Sequence, residues 1–166
     1  RKFGKKAGFP FEPYGETPLK TVQRLLSFCS LTSSDSWLEL GSGRGRSCFW
    51  IAAEIGCKVV GVERVPLFFY LSCFMAFLFG FSKASFRKVD FLKADFSTAT
   101  CVYIYSTCLS DEAFSKLADK MQELPKSARI ATISAPLPSR TFLSLEGSFP
   151  VSFPWGATEA YLHKKI

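Results

Sequence analysis

Apolar residues recur along the chain at two spacings, and segments of the two kinds alternate. Spacings of three and four positions, typical of helices with one buried face, predict helices over residues 18–29, 47–55, 67–79 and 111–124. Short apolar runs between them predict strands over residues 37–40, 58–63, 86–92, 101–105 and 129–134. Two further segments, 142–153 and 158–164, are typical of a closing strand-turn-strand hairpin.

This alternation predicts an α/β fold that is doubly wound, with a mostly parallel sheet and helices on both of its faces. The C-terminal hairpin adds an antiparallel edge. The length of 166 residues suits one domain. We therefore expect an extended N-terminal arm over residues 1–13, which contains Gly and Pro, and a single domain over residues 14–166.

The helix ends carry their own signals. Thr17 is predicted to cap the first helix, with Pro18 at the first helical position. Gly56 and Gly80 follow the second and third apolar repeats and are predicted to end those helices.

Composition excludes several kinds of chemistry. The chain has one histidine, His163, and neither a Cys-x-x-Cys nor a His-Glu-x-x-His motif. A zinc site and a Ser-His-Asp triad are therefore disfavoured, and no metal is expected. The six cysteines lie among apolar residues and are predicted to be small buried thiols in a reducing compartment.

The formal net charge is +7, from 21 basic and 14 acidic residues. The basic residues are scattered, apart from clusters near the two ends, so a nucleic-acid partner is disfavoured. We expect a cytoplasmic protein. Peripheral contact with a membrane is the alternative.

That alternative rests on residues 65–81, which carry no charge. Pro66 and Gly80 confine the helix to residues 67–79, which is too short to span a bilayer. Its aromatic residues are spread around the helix, so a single buried stripe cannot hide them all. We expect part of the helix to contact a membrane surface, a partner or a second copy, unless the fold buries every ring.

The strongest functional motif is a glycine loop that follows the first strand. Gly41, Gly43 and Gly45 form G-x-G-x-G, preceded by Glu39. Such glycines allow the backbone to approach a ligand closely. Arg46 occupies the position where a dinucleotide-binding fingerprint needs Gly or Ala, and an acid before the loop suits a ligand with an ammonium group. The alternative is a tight turn without a ligand.

Acidic residues follow the second and third strands. Glu63 ends the second strand, where a carboxylate can accept both hydroxyls of a ribose. Asp95 and Phe96 could meet the amino group and the ring face of an adenine. The alternatives are a surface carboxylate for Glu63, a loop acid for Asp95 and a core ring for Phe96.

Together these motifs resemble the class I, Rossmann-like S-adenosylmethionine-dependent methyltransferases. More narrowly, the chain is similar to the non-SET protein-lysine methyltransferases, of the disruptor-of-telomeric-silencing type and the ATP synthase c-subunit type. The resemblance implies S-adenosylmethionine as cofactor, a methyl-acceptor protein or small molecule as partner, and a loop that closes over the cofactor. The cofactor-binding residues it implies are Tyr14, Glu16, Thr17, Glu39, Gly41, Ser42, Gly43, Gly45, Glu63, Asp95 and Phe96.

The acceptor half of the chain departs from that family. Paired asparagines of the disruptor type are replaced by Ser106 and Thr107, and adjacent tyrosines by Ala160 and Tyr161. We expect Tyr14, Ser106, Thr107 and Tyr161 to be the catalytic residues, in a slot that Pro136 and Trp155 also line. Helix capping is the alternative for Ser106 and Thr107. Three functions stay open: a protein-lysine methyltransferase, a small-molecule or lipid methyltransferase, and a non-catalytic cofactor-binding or membrane-docked module.

Overall fold

One seven-stranded sheet organises the chain. The computed structural model describes residues 15–166, so the predicted arm and Tyr14 lie outside the described residues. The strands are β1 (Ser36–Leu40), β2 (Lys58–Val62), β3 (Ala84–Arg87), β4 (Cys101–Ile104), β5 (Arg129–Ile133), β6 (Leu143–Phe153) and β7 (Gly156–Lys165). Their order in the sheet is β3-β2-β1-β4-β5-β7-β6. Strands β1 to β5 run parallel, and β7 pairs antiparallel with both β5 and β6.

Helices cover both faces of this sheet. They are α1 (Leu19–Phe28), α2 (Arg46–Glu54), α3 (Pro66–Leu78) and α4 (Asp111–Lys120). Alternate residues of a strand point to opposite faces, so β1 contributes to two cores. Trp37 packs beneath α1 and α2 on one face, and Leu38 packs with α4 on the other. The predicted doubly wound α/β sheet with an antiparallel C-terminal hairpin is confirmed.

Several predicted boundaries are wrong, among them the end of the fourth helix, since α4 ends at Lys120 and a 3-10 turn over Met121–Glu123 follows it. Thr17 is predicted to cap α1, but Pro18 occupies the N-cap position, and its side chain has no polar atom to form a cap. The Thr17 hydroxyl instead shares a buried hydrogen bond of 2.6 Å with the Tyr103 hydroxyl. The third strand ends at Arg87 rather than at residue 92. There the Asp90 side chain accepts a hydrogen bond from the Leu92 backbone N–H and starts a short 3-10 turn.

The predicted ends of two helices are confirmed. Gly56 and Gly80, with φ of 72° and 67°, follow α2 and α3 in the left-handed conformation that glycine adopts without strain. Four of the cysteines that were predicted to be buried thiols, Cys29, Cys48, Cys57 and Cys101, are buried and free, and Cys73 is half-buried.

The sheet order determines where a ligand can bind. The chain moves outward from β1 through β2 to β3, and then returns to the other side of β1 with β4. In an open parallel sheet, the loops that leave two such neighbouring strands diverge and open a crevice at their carboxyl ends. The glycine loop leaves β1 at this point.

Candidate functional site

A cleft opens at the carboxyl ends of β1 and β4, which we call the central cleft. Its walls come from the segment before α1, from the glycine loop and from β4. The lining residues are Gly15, Glu16, Thr17, Glu39, Gly41, Ser42, Gly43, Arg46, Ser47, Tyr103 and Tyr105. Most residues that the sequence predicts to bind the cofactor are therefore brought together.

The glycine loop turns through three left-handed residues. Gly41, Gly43 and Gly45 have φ of 79°, 54° and 76°, which side-chain-bearing residues rarely adopt. Position 45 must also lack a side chain, because a Cβ on Gly45 would lie 2.6 Å from the Phe86 ring. The loop thus depends on glycine for both its conformation and its close packing against β3.

Glu63 fixes the middle of this loop. Its carboxylate is 8% exposed and accepts hydrogen bonds from the backbone N–H groups of Gly43, at 2.8 Å, and Val65, at 2.7 Å. The alternative of a solvated surface carboxylate is therefore wrong. The structure places Glu63 at the carboxyl end of β2, beside the loop.

Glu39 is a buried acid on the wall of the cleft. It is 4% exposed and accepts hydrogen bonds from Ser47 Oγ at 2.5 Å and Trp37 Nε1 at 3.3 Å. Burial raises the pKa of the Glu39 carboxyl, although the hydrogen bonds from Ser47, Trp37 and Cys48 act in the opposite direction. A carboxylate that is costly to ionise is well suited to a cationic ligand group, because the cation restores the charge balance.

Ser42 supplies a polar atom that lacks a protein partner. Its Oγ is buried and makes no hydrogen bond within the described structure. Such orphaned groups are rare in native interiors and indicate a missing ligand or water. With Glu39 on the cleft wall and Glu63 beside the loop, the cleft fits a ligand that carries both an ammonium group and hydroxyls.

Residues 15–17 form a strap beside the cleft. Glu16 accepts from Arg44 Nε at 2.9 Å and pairs with Arg46 at 3.3 Å. Thr17 is held by the buried hydrogen bond to Tyr103. These contacts hold the segment beside the glycine loop, and closure over the cofactor, which the sequence resemblance implies, stays a prediction. Tyr14, its predicted first residue, is outside the described part of the chain.

Asp95 and Phe96 follow β3 but differ in exposure. Asp95 is exposed, and its side chain accepts from the Ser97 backbone N–H at 2.9 Å. Phe96 is fully buried in the α4 core, with Lys120 Nζ 4.9 Å from its ring centroid. This arrangement corrects the predicted adenine contact of Phe96, because its ring offers no free face to a ligand.

Of the four predicted catalytic residues, the three that the structure describes are not among the residues that line the cleft. Ser106 donates from its Oγ to the Ile133 carbonyl, and the Thr107 and Ser134 hydroxyls share a hydrogen bond of 3.2 Å. Tyr161 lies opposite Thr132 on β5, and none of Ser106, Thr107 and Tyr161 is among the described residues that line the cleft. The catalytic roles of these residues stay predictions. The capping alternative is wrong, because Ser110 caps α4 by accepting from Ala113 N–H at 3.2 Å.

Tyr105, on the cleft lining, contacts two further aromatic residues, the buried Phe153 and the exposed Trp155, and we call these three residues the aromatic wall. Trp155 Nε1 donates to the Tyr105 hydroxyl at 2.8 Å. The Phe153 ring packs against both, with its centroid 5.4 Å from that of Tyr105 and 5.2 Å from that of Trp155. Sequence reasoning named Trp155 but missed Tyr103 and Tyr105. Their place in and just after β4, beside the crevice, was the available signal.

Comparison with known proteins decides the family. The profile of the ANTKMT methyltransferase domain matches residues 39–143, which is more than half of the chain. The chain belongs to this family. It is a class I, S-adenosylmethionine-dependent methyltransferase, and this cofactor carries both an ammonium group and ribose hydroxyls.

Known relatives agree with that assignment. The histone-lysine N-methyltransferase of Drosophila melanogaster specific for H3 lysine-79 is 24% identical over 74% of this chain. The chain spans only 8% of that protein's length. An RNA methyltransferase from Salinibacter ruber, solved with S-adenosyl-L-homocysteine, is 25% identical, with a TM-score of 0.76 over 90% of this chain and 93% of its own. TrmN from Thermus thermophilus, 18% identical, shares the fold with a TM-score of 0.74 over 88% of this chain and 48% of its own.

Proposed function

We propose that this methyltransferase modifies a lysine side chain of a protein. The observation that carries the proposal is the aromatic wall, which adjoins the central cleft through Tyr105. The name of the Drosophila relative, a histone-lysine N-methyltransferase, supports the same acceptor class.

A lysine acceptor needs a site that lowers its pKa. The free amine has a pKa of about 10.4, so it is almost wholly protonated at neutral pH and cannot attack a methyl group. Aromatic surroundings exclude water and favour the neutral amine, as does a nearby positive charge. Tyr105 on the cleft lining and the exposed Trp155, which donates a hydrogen bond to it, provide such surroundings, and the buried Phe153 ring packs against both.

The protein's remaining work is positioning. S-adenosylmethionine supplies an electrophilic methyl group on a sulfonium, and the transfer is an in-line displacement. Glu39, Ser42 and Glu63 would hold the cofactor, and the strap would exclude water from one side. Correct alignment lowers the barrier of such a reaction without an elaborate acid-base set. A chain with a single histidine is consistent with this chemistry.

A lipid or other small acceptor is the second candidate. The observation that favours it is the apolar surface of α3, where Leu67, Tyr70, Phe74 and Phe77 are exposed. An exposed apolar surface of this kind is typical of a protein that contacts a membrane or an apolar ligand.

Radiolabelled cofactor separates the candidates. The chain is incubated with labelled S-adenosylmethionine and a protein, a lipid or an RNA fraction from cells. We expect label in protein, and mass spectrometry should place it on lysine. Label confined to lipid or RNA would overturn the proposal, and cofactor binding without transfer to any fraction would indicate a non-catalytic module.

A variant tests the role of the aromatic wall. Trp155→Ala should lower turnover at least about tenfold, since it removes an aromatic group that would exclude water from the amine, while cofactor affinity stays unchanged. The matched control is Leu145→Ala, which truncates an exposed apolar residue of the same hairpin outside the wall. Equal turnover in the two variants would show that the wall does not contact the acceptor.

A further inference from the structure

Helix α3 presents an unusually apolar surface to solvent. Of its 13 residues, only Ser72 is buried. The exposed apolar residues on and around it are Val65, Leu67, Tyr70, Leu71, Phe74, Phe77, Leu78 and Phe79, and Phe77 is 86% exposed. Continuous apolar patches of this kind mark sites where a protein contacts another molecule or a membrane.

The opposite face of α3 packs against the core of the domain. Phe69, Cys73 and Ala76 make these contacts. The Ser72 hydroxyl lies 3.2 Å from the Gly43 carbonyl and 2.9 Å from the Phe68 carbonyl, within hydrogen-bonding distance of both. The apolar face is thus a fixed surface next to the glycine loop.

Basic residues flank this face, and acidic ones are absent from its segment. Arg64, Lys83, Arg87 and Lys88 are all exposed, and no Asp or Glu lies between Glu63 and Asp90. Lys88 Nζ donates to the Tyr70 hydroxyl at 3.1 Å and lies 5.0 Å from the centroid of that ring, so positive charge directly adjoins the apolar surface.

We propose that α3 lies flat on an anionic lipid bilayer, with its apolar side chains in the interface and the flanking basic residues against the headgroups. An apolar helix face flanked by Lys and Arg is the pattern that binds such surfaces. Among the described residues no helix is long and apolar enough to cross a membrane, so the contact is with the surface. This inference does not depend on the identity of the methyl acceptor.

A second copy of the chain fits the surface less well. Pairing two α3 faces would bring the basic residues of both copies together, with no carboxylate in the segment to balance them. Like charges at an interface oppose association. Anionic headgroups supply the missing negative charge.

Vesicle flotation tests the proposal. The full chain is mixed with vesicles of phosphatidylcholine alone, or of phosphatidylcholine with phosphatidylglycerol. We expect binding to the mixed vesicles that weakens with added salt and is at least about tenfold weaker on neutral vesicles. Equal binding to both, or to neither, would overturn the proposal.

Two pairs of variants separate the apolar and the charged contributions. F74S/F77S should reduce binding at least about tenfold, whereas L145S/I166S, which removes equally exposed apolar residues elsewhere, should not. R87Q/K88Q should reduce it about fivefold per residue, whereas K58Q/K126Q, with the same change in net charge, should have a smaller effect.

Cofactor titration of each variant confirms that it is folded. Unchanged vesicle binding by F74S/F77S would contradict the proposal. So would sedimentation of the unmodified chain as a dimer that F74S/F77S dissociates, since the covering surface would then be a second copy.

Discussion

Glu63, at the carboxyl end of β2, accepts a hydrogen bond of 2.8 Å from the backbone N–H of Gly43. The acid that would bind the ribose of the cofactor therefore also holds the middle of the glycine loop. Its other oxygen accepts from Val65 N–H at the start of α3. Each carboxylate oxygen has lone pairs beyond one hydrogen bond, so both roles are compatible.

Replacing Glu63 should impair cofactor binding. Glu63→Ala is expected to weaken the affinity for S-adenosylmethionine by about 1.5–3 kcal/mol, because charge-assisted hydrogen bonds are lost. Isothermal titration calorimetry with the cofactor and its demethylated product measures this. Glu146→Ala, which removes an exposed carboxylate from β6, is the control. An unaltered affinity in folded Glu63→Ala would show that Glu63 has no part in binding.

The same calorimetry tests cofactor selectivity. We expect no NAD binding, because Arg46 occupies the position where dinucleotide-binding loops need a small residue for close helix packing. Preference for NAD over S-adenosylmethionine would contradict the reading of the glycine loop.

Glu39→Gln should stabilise the cofactor-free protein and weaken cofactor binding. Because the folded-state pKa of Glu39 is raised, its contribution to stability is full below the unfolded pKa of about 4.3 and is lost as the pH rises through the folded value. At neutral pH the amide avoids that cost, and scanning calorimetry should show a melting temperature higher by about 2–4 °C. Affinity should fall about tenfold or more, since the carboxylate no longer attracts an ammonium group. A variant with lower stability and full affinity would contradict both expectations.

Gly45→Ala should destabilise the fold by about 2–3 kcal/mol. A Cβ there would clash with the Phe86 ring, and its φ of 76° adds strain. Urea unfolding measures the loss. Gly80→Ala shares the left-handed φ but has nothing within 4 Å of the added Cβ, so it should lose only about 1 kcal/mol. Equal losses would attribute the whole effect to backbone strain.

Tyr103→Phe should loosen the strap. It removes the buried partner of the Thr17 hydroxyl at a cost of about 1–2 kcal/mol, and we expect a higher KM for S-adenosylmethionine. Steady-state kinetics measure the change. Tyr161→Phe is the comparison. Tyr161 lies on β7 and is not among the residues that line the cleft, so the KM for S-adenosylmethionine and the turnover of this variant should not change. A large loss of turnover in Tyr161→Phe would support the catalytic role that the sequence predicts for it.

His163 should make the fold sensitive to acid. It is 3% exposed, its Nε2 accepts from the Leu137 backbone N–H at 3.1 Å, and burial lowers its pKa. A lowered folded pKa gives stability that is present above the unfolded pKa of about 6.5 and is lost as the pH falls through the folded value. The free energy of unfolding should therefore fall below about pH 6.5. His163→Gln should make the free energy of unfolding less dependent on pH. An unchanged slope of this free energy against pH would show that other groups cause the dependence.

Sequence reasoning predicted the order of the elements and the cofactor half of the site because both depend on local signals. Apolar periodicity predicts each strand and helix from its own segment. The glycines of the loop and the acid that ends β2 directly follow predicted strands. Ligands of open parallel sheets bind at the carboxyl ends of strands, so these residues could be located from the sequence. The acceptor side lacked such signals, since Tyr105 and Trp155 come from segments 50 positions apart.

Side-chain partners and exposure were decided by the tertiary structure. Thr17 is a residue type that often caps helices, yet its hydroxyl shares a hydrogen bond with that of Tyr103. Tyr103 comes from β4 and lies beside Thr17 only in the folded protein. Phe96 follows a strand toward the cleft but is buried by α4. The sequence by itself determined that α3 is apolar on all sides, and only packing against the core determined which of those side chains face solvent. Periodicity describes one segment at a time, whereas burial depends on which other segments cover it.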